Sequence, residues 1–154
     1  MENNSCSVRY MTADDLPQVA AIERKVFTVP WSEEGFRVAL AMKENIYLAA
    51  VSEEKVVGYC GMYVSPGEGE IVNVAVDPGF RRRGAGRALL ECLIRESRQR
   101  GIGRWILEVR VSNAGAILLY EQMGFERLGI RRGFYESPRE DALIMCREES
   151  REPA

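Results

Sequence analysis

The residues with the clearest chemical potential stand where a predicted strand ends and a predicted helix begins. At the start of that helix, glycines occupy positions 84 and 86 on either side of Ala85. Backbone N–H groups of a glycine-bearing helix N-terminus can approach an anion closely, and the helix dipole adds to the attraction. Four arginines bring further donors suited to phosphate: Arg81, Arg82, Arg83 and Arg87. This glycine–arginine segment, residues 81–87, therefore predicts a phosphate-binding site.

Three other interpretations of the glycine–arginine segment are open. It could be a turn with a solvated run of charge, or a basic patch for nucleic acid. It could also be the dinucleotide-binding turn of a Rossmann fold, with Glu108 as the ribose-binding acid after the next strand. However, Leu89 stands where a third small residue is expected, and residues 77–83 separate the strand from the glycines. That loop is too long for the tight dinucleotide turn, and phosphate binding of another kind is favoured.

The chain contains no histidine among its 154 residues. This absence excludes an imidazole base, a Ser–His pair and a histidine-bound metal. Acid–base chemistry must therefore use carboxylates, tyrosine, cysteine, lysine or water. The cysteines form no CxxC pair, and we expect no metal.

Several stretches resemble the GNAT acetyltransferase superfamily, and within it the RimI-type N-terminal acetyltransferases. VAVDP at 74–78, followed by RRRGAG at 81–86, is similar to the superfamily's pyrophosphate signature, V-x-P and then Q/R-x-x-G-x-G/A. RimI-type features are PWS at 30–32, LEVRVSN at 107–113, LYEQMGF at 119–125, IRR at 130–132 with Tyr135, and EDA at 140–142. The resemblance covers residues 8–145 and implies a single GNAT-type domain.

The resemblance also implies that acetyl-CoA is the cosubstrate. The glycine–arginine segment, including Gly84, Ala85 and Gly86, would then hold the pyrophosphate. At Val74, Ala75 and Val76 the family's strand splays, so that N–H groups face the acetyl carbonyl and the pantetheine arm. Asn113 would contact the cosubstrate as well, although its position before a predicted helix also suits a simple N-cap.

Acetyl transfer to an amine needs a neutral nitrogen, a polarised thioester carbonyl and help for the departing thiolate. The resemblance makes Glu108 the candidate base, acting through water, and Tyr120 the candidate donor to sulfur. Strand alternation puts Leu107 and Val109 on the face opposite Glu108. The residues alone also admit a surface carboxylate at 108 and a packing aromatic at 120, beside Phe125.

For the acceptor, the resemblance implies the N-terminal alanine of a small-subunit ribosomal protein, with Trp31 and Tyr135 binding the peptide. Trp31 could instead be a hydrophobic staple before a helix. Other acceptors are a lysine side chain or a small amine, and another class is a non-catalytic CoA-binding module. The family's R-N-Y-Y reads RGFY at 132–135, and the loop at 136–139 is shorter than in some relatives. Both departures allow a different peptide preference.

The order of predicted elements shows how one sheet could position these residues. Strands are predicted at 8–11, 46–51, 56–64, 70–76, 105–111, 125–130 and 142–147. Helices are predicted at 16–26, after a Ser32 cap, at 84–100 and at 114–123, the last capped by Ser112 or Asn113. The order β-α-α-β-β-β-α-β-α-β-β predicts an α/β (α+β) fold, with a mixed sheet and helices on both faces.

Length and composition predict one domain, 1–147, and a polar C-terminal tail, 148–154. The net charge of −2 gives no reason to expect direct contact with nucleic acid or a membrane. Four scattered cysteines predict reduced thiols in a cytoplasmic protein. The polar start resembles no signal peptide, and no apolar run approaches the ~18 residues of a membrane helix. The oligomeric state is left open.

Overall fold

The computed structural model of the protein describes residues 6–149, which form seven strands and four α-helices. The strands are β1 (Ser7–Tyr10), β2 (Ile46–Ser52), β3 (Lys55–Ser65), β4 (Glu68–Val76), β5 (Arg104–Arg110), β6 (Glu126–Glu136) and β7 (Arg139–Glu148). The helices are α1 (Leu16–Val26), α2 (Glu33–Ala41), α3 (Ala85–Gln99) and α4 (Ala114–Gln122). This order of elements confirms the predicted one.

The strands form one sheet in the order β1-β2-β3-β4-β5-β7-β6. Only β4 and β5 run parallel within the described sheet, and the other neighbours are antiparallel. The predicted mixed sheet is therefore confirmed. The long α3 crossover makes the parallel pair possible, because a parallel connection must return along the sheet.

Helices cover both faces of the sheet, and two cores result. In β2, Tyr47 and Ala49 face α1 and α2, whereas Leu48 and Ala50 face α3 and α4. This follows from the period of two in a strand, in which neighbouring side chains point to opposite faces. The fully buried Trp105 belongs to the α3–α4 core. The prediction of helices on both faces is confirmed.

Local capping chemistry sets the helix boundaries. The Ser32 hydroxyl accepts a hydrogen bond from the Gly35 N–H (3.1 Å) at the start of α2. Asn113 caps α4 through the Ala116 N–H (3.2 Å), which decides between the two predicted caps. Gly84 before α3 has φ +85° and Gly101 after it has φ +88°. Both are left-handed conformations that glycine adopts without strain.

The parallel pair β4–β5 is hydrogen-bonded along only part of its length. The ladder begins at Glu68 and Arg104 and ends at Ile71 and Leu107. Immediately after it, the β3–β4 register shifts so that Val72 is an extra residue, a β-bulge. A bulge bends its strand and increases the local twist, which carries the rest of β4 away from β5. The two strands therefore diverge and leave an opening.

The last two strands are longer than predicted. β6 continues to Glu136 and β7 begins at Arg139, so nearly all of residues 131–141 belong to a hairpin. Most of β6 is exposed, and no alternation of apolar residues revealed it. β7 includes Glu148, and the Glu149 N–H donates to the Gly103 carbonyl (2.9 Å), so the first two residues of the predicted tail are part of the fold. The rest of that tail, 150–154, lies outside the described residues.

Two further observations concern the described part of the chain. All four cysteines are free thiols, and Cys60 and Cys92 lie in the α3–α4 core. Across residues 6–149 no helix is both long and apolar enough to cross a membrane.

Candidate active site

The opening between β4 and β5 begins beside Glu108. This residue follows Leu107, the last residue of β5 that is paired with β4. Its side chain is 20% exposed, and Oε1 lies 3.4 Å from a guanidinium nitrogen of Arg131. Oε2 is buried and has no hydrogen-bond partner among the described residues. A buried carboxylate oxygen without a hydrogen-bond partner from the protein is rare in a folded protein, and is typical of functional sites.

The surroundings of Glu108 increase its affinity for a proton. Burial raises the pKa of the Glu108 carboxyl, Arg131 partly opposes this, and the negative charge of Glu70 adds to the increase. The direction is the one that a general base near neutral pH requires, because an ordinary carboxylate is too weak a base.

Tyr120 lies on the other side of the sheet, in the α3–α4 core with Leu107 and Val109. It is 7% exposed, and its ring packs against Phe125 with centroids 5.9 Å apart. Its hydroxyl donates to none of the residues that the structure describes. Burial raises the pKa of the Tyr120 phenol, and the nearby Tyr135 hydroxyl adds to the shift. Tyr120 therefore keeps its proton and has it available for an incoming group.

Tyr135 stands close to Glu108. Burial is the main cause of the raised pKa of the Tyr135 phenol, and the negative charge of Glu108 raises it further. The guanidinium of Arg110 lies 4.3 Å from the centre of the Tyr135 ring. Arg110 also donates to Glu140 (3.2 Å), whose other oxygen accepts from the Ser112 N–H (2.6 Å). The end of β5, the start of β7 and the approach to α4 are thus tied together around Tyr135.

Trp31 is held by a buried carboxylate that the sequence analysis missed. Glu23 is 3% exposed, and one oxygen accepts from the Trp31 N–H (2.9 Å) while the other accepts from the Tyr59 hydroxyl. The Trp31 ring packs on Phe36, with centroids 5.2 Å apart. The available signal was a charged residue next to Ile22 on the apolar stripe of α1.

The same loop also reaches the hairpin of β6 and β7. The Thr28 hydroxyl donates to the carbonyl of Ser137, in the turn between those strands. Residues that are distant in sequence therefore meet, and the α1–α2 loop and the β6–β7 turn are joined on the same side of the sheet as Glu108.

The glycine–arginine segment folds as predicted at its centre. Gly84 is the left-handed residue before α3, and Arg82 also has a positive φ, +65°. A Cβ at Gly84 would meet nothing within 4 Å, so its backbone is open on that side. A Cβ at Gly86 would lie 3.4 Å from a methyl group of Leu119, so Gly86 also serves the packing of α3 on α4. Ala85 is buried.

The four arginines of the segment have different surroundings. Arg87 pairs with Glu91 (3.5 Å) and donates to Gln122 (3.1 Å) along the flank of α3. Arg83 lies over the ring of Phe80, 5.1 Å from its centre. Arg81 and Arg82 are exposed, and no carboxylate in residues 6–149 forms an ion pair with either. Arg81, Arg82 and Arg83 thus lie beside the α3 N-terminus without a carboxylate partner among the described residues, whereas Arg87 interacts with Glu91 and Gln122.

Val74, Ala75 and Val76 border the opening. They pair with β3 on one side, at Cys60, Tyr59 and Gly58. On the other side they lie beyond the last ladder pair with β5, so their remaining backbone groups have no strand partner there. Among the described residues, no cluster of three or more cysteine, aspartate or glutamate side chains could hold a metal ion.

Comparison with known proteins gives matches over most of the chain. The family model for the acetyltransferase (GNAT) family matches residues 16–125. The ribosomal protein bS18-alanine N-acetyltransferase of Salmonella typhimurium is 39% identical over 142 residues, spanning 91% of this chain and 95% of that protein.

Two solved structures are similar in fold. The ribosomal-protein-S18-alanine N-acetyltransferase from Escherichia coli aligns with a TM-score of 0.88 and 37% identity, covering 96% of each chain. Arabidopsis thaliana NAA60 in complex with acetyl-CoA aligns with a TM-score of 0.86 and 20% identity, covering 94% of this chain and 98% of that one.

Proposed function

Because this chain belongs to the GNAT acetyltransferase family, we propose that it acetylates the N-terminal α-amine of a protein, namely the N-terminal alanine of a small-subunit ribosomal protein. The chain is an N-acetyltransferase that uses acetyl-CoA. The acceptor is inferred from the names of the Salmonella and Escherichia coli relatives. The four free thiols fit a reducing compartment, and we place the enzyme in the cytoplasm.

The site fits acetyl-CoA at two places. At α3, the left-handed Gly84 opens the backbone to a pyrophosphate, and Arg81, Arg82 and Arg83 supply positive charge. In the opening, the free edge of β4 at residues 74–76 offers N–H groups to a thioester carbonyl and to an amide-bearing arm. Asn113 caps α4, and we propose that it also contacts the cosubstrate.

The observation that carries the proposal is the free, buried Oε2 of Glu108 at the start of the opening. When the acceptor nitrogen attacks the thioester carbonyl, it must lose a proton. Glu108 accepts that proton, directly or through one water, because its raised pKa makes it a stronger base than an exposed carboxylate.

Tyr120 serves the departing sulfur. Its phenol stays protonated because burial raises the pKa, and its ring belongs to the core on the opposite side of the sheet from Glu108. When the carbon–sulfur bond breaks, the Tyr120 hydroxyl donates its proton to the thiolate. Glu108 thus removes one proton from nitrogen on one face of the sheet, and Tyr120 supplies one proton to sulfur from the other face.

The chemistry of the base favours an α-amine over lysine. The ordinary pKa of an α-amine is about 7.7–8.0 and that of lysine about 10.4. Neutralising lysine near neutral pH therefore costs about 3 kcal/mol more, from roughly 2.5 units at 1.36 kcal/mol each. A site with one carboxylate and no histidine is better matched to the α-amine.

On the acceptor side, we propose that Trp31 and Tyr135 bind the peptide. They are supplied by the two segments that meet through Thr28 and Ser137. Both aromatic side chains are half-buried. The Trp31 backbone N–H donates to Glu23 and its ring packs on Phe36, whereas the Arg110 guanidinium lies over the Tyr135 ring. Fixed aromatic residues with accessible faces are suited to holding a peptide end.

The proposal is tested by Glu108→Gln. The amide cannot accept the proton, so turnover should fall by about 100-fold, within the range of general acid–base help. CoA affinity should be unchanged, and the melting temperature at neutral pH should not fall, because the variant removes a carboxylate whose pKa is raised in the folded state.

The loss should shrink as pH approaches about 9, where the α-amine is already neutral. Steady-state rates across pH, with an alanine-initiated peptide, measure this. Wild-type rates for the variant at every pH would make Glu108 a structural carboxylate. A wild-type protein that binds CoA but shows no turnover would indicate a non-catalytic CoA-binding module.

A further inference from the structure

Glu108, the candidate base, forms an ion pair with Arg131 on β6, and with no other cation in residues 6–149. The Arg131 guanidinium nitrogen lies 3.4 Å from Glu108 Oε1, although β7 separates β6 from β5. The β7 residue between Arg110 and Arg131 in the register is Ala142, which is fully buried. Because alanine ends at Cβ, the Arg131 side chain can cross β7 at this point and reach Glu108.

The two oxygens of Glu108 are thereby distinguished. Oε1 is in contact with Arg131, and Oε2 is buried without a partner. A lone carboxylate on a strand could turn about its last bond and exchange the two oxygens. An ion pair with one oxygen opposes that rotation, since the geometry that satisfies the cation leaves the other oxygen fixed.

We propose that Arg131 is a positioning residue for acetyl transfer, which holds Glu108 as an oriented carboxylate with its free oxygen toward the acceptor nitrogen. The inference rests on the proposed function and adds Arg131 to the residues that act in proton removal. Arg131 itself is 55% exposed, so it can be replaced without disturbing a core.

The other charges around Glu108 do not substitute for Arg131. Glu70, from β4, is negative and raises the pKa of Glu108. Tyr135 is a neutral phenol whose own pKa is raised. Arg110, on the same strand as Glu108, is engaged with Glu140 and the Tyr135 ring. Arg131 is the group that lowers the pKa of Glu108 against burial and Glu70.

The sign of the pH effect follows from these contacts. Without Arg131 the pKa of Glu108 should rise further, so the carboxylate should take up a proton at a higher pH than in the wild type. The acid limb of kcat/KM, corrected for the fraction of neutral α-amine, should therefore move to higher pH. Alkaline rates should change less, because Glu108 is ionised there in both proteins.

The experiment compares Arg131→Gln, Arg131→Lys and a matched control, Arg127→Gln. Arg127 lies on the same strand with similar exposure, but it pairs with Glu121 and not with Glu108. At about pH 6, Arg131→Gln should lower kcat two- to fivefold, the range of a partly exposed ion pair. Arg131→Lys should restore the wild-type position of the acid limb, and Arg127→Gln should leave it unchanged. The KM for acetyl-CoA should be the same in all four proteins.

A pH profile of Arg131→Gln that coincides with the wild type would overturn the inference, as would an equal shift in Arg127→Gln. Arg131→Gln in a Glu108→Gln background separates the two hypotheses. If Glu108 is the base and Arg131 acts through it, the second substitution should have no further effect on the acid limb. If Glu108→Gln alone has wild-type rates, the proposed base itself is wrong, irrespective of Arg131.

Discussion

At the scale of residues, the proposed catalysis without histidine uses two ordinary groups on opposite faces of a sheet. Glu108 has a free, buried oxygen on the α1–α2 face, and Tyr120 keeps a protonated hydroxyl on the α3–α4 face. In both groups burial is the main cause of the raised pKa. The same physical effect thus makes the carboxylate a better base and ensures that the phenol remains a proton donor.

Tyr120→Phe tests whether Tyr120 acts in catalysis or only in packing. The ring stays against Phe125, and the lost hydroxyl donates to no described residue, so the melting temperature should be unchanged. Turnover should fall by about 10- to 100-fold. The loss should be moderate because a thiol has a pKa of about 8.5, so its thiolate is a good leaving group even without a proton donor.

Unlike the loss in Glu108→Gln, this loss should persist as pH rises, since a basic solution supplies no donor to sulfur. The check is kcat measured across pH together with thermal unfolding. Full activity in Tyr120→Phe would mean that Tyr120 only packs.

At the scale of elements, two local features of the backbone shape the proposed site. The bulge at Val72 ends the ladder between β4 and β5 immediately before Glu108, and the left-handed Gly84 begins α3. Neither feature adds a side chain to the site. Both expose backbone N–H groups, and we propose that one set binds the thioester and the other the pyrophosphate. Substitutions that change only backbone freedom should therefore affect binding of the cosubstrate.

Gly84→Ala tests this at the α3 N-terminus, and Gly101→Ala is its matched control. The two glycines have φ +85° and +88° at opposite ends of α3, and an added Cβ would meet nothing within 4 Å at either. Each substitution should cost a similar stability, about 1 kcal/mol, because alanine is strained at positive φ.

Only Gly84→Ala should also weaken CoA binding. The measurement is the rise in melting temperature caused by CoA, with NADP, which should cause none, as the ligand control. Equal CoA-induced shifts in the two variants would mean that the start of α3 is only a turn.

At the scale of the whole molecule, the sequence predicted the order of elements and the two covered faces of the sheet. These follow from the apolar stripe of α3 and the continuous apolar run of β2, where burial dictates residue type. It did not predict the length of the β6–β7 hairpin, because residues such as Arg131 and Glu136 are paired through the backbone and leave no apolar alternation.

The site could be predicted in part. The glycine–arginine segment was proposed from its residue types and spacing, and Glu108 and Tyr120 from the family resemblance; their roles stay predictions. Glu23 and the Arg131–Glu108 contact were missed, because each joins residues that are distant in sequence through a fold that only the structure supplies. The bulge at Val72 was also missed, since a valine in a strand carries no local signal of an altered register.

The most direct test of the central claim is mass spectrometry of acetylated peptides. The purified protein is incubated with acetyl-CoA and a peptide that begins with alanine and contains one internal lysine. A second peptide, blocked at its N-terminus, carries the same lysine. The account predicts one acetyl group on the alanine α-amine of the first peptide and none on the second. Acetylation of the lysine in either peptide, or turnover of neither, would contradict it.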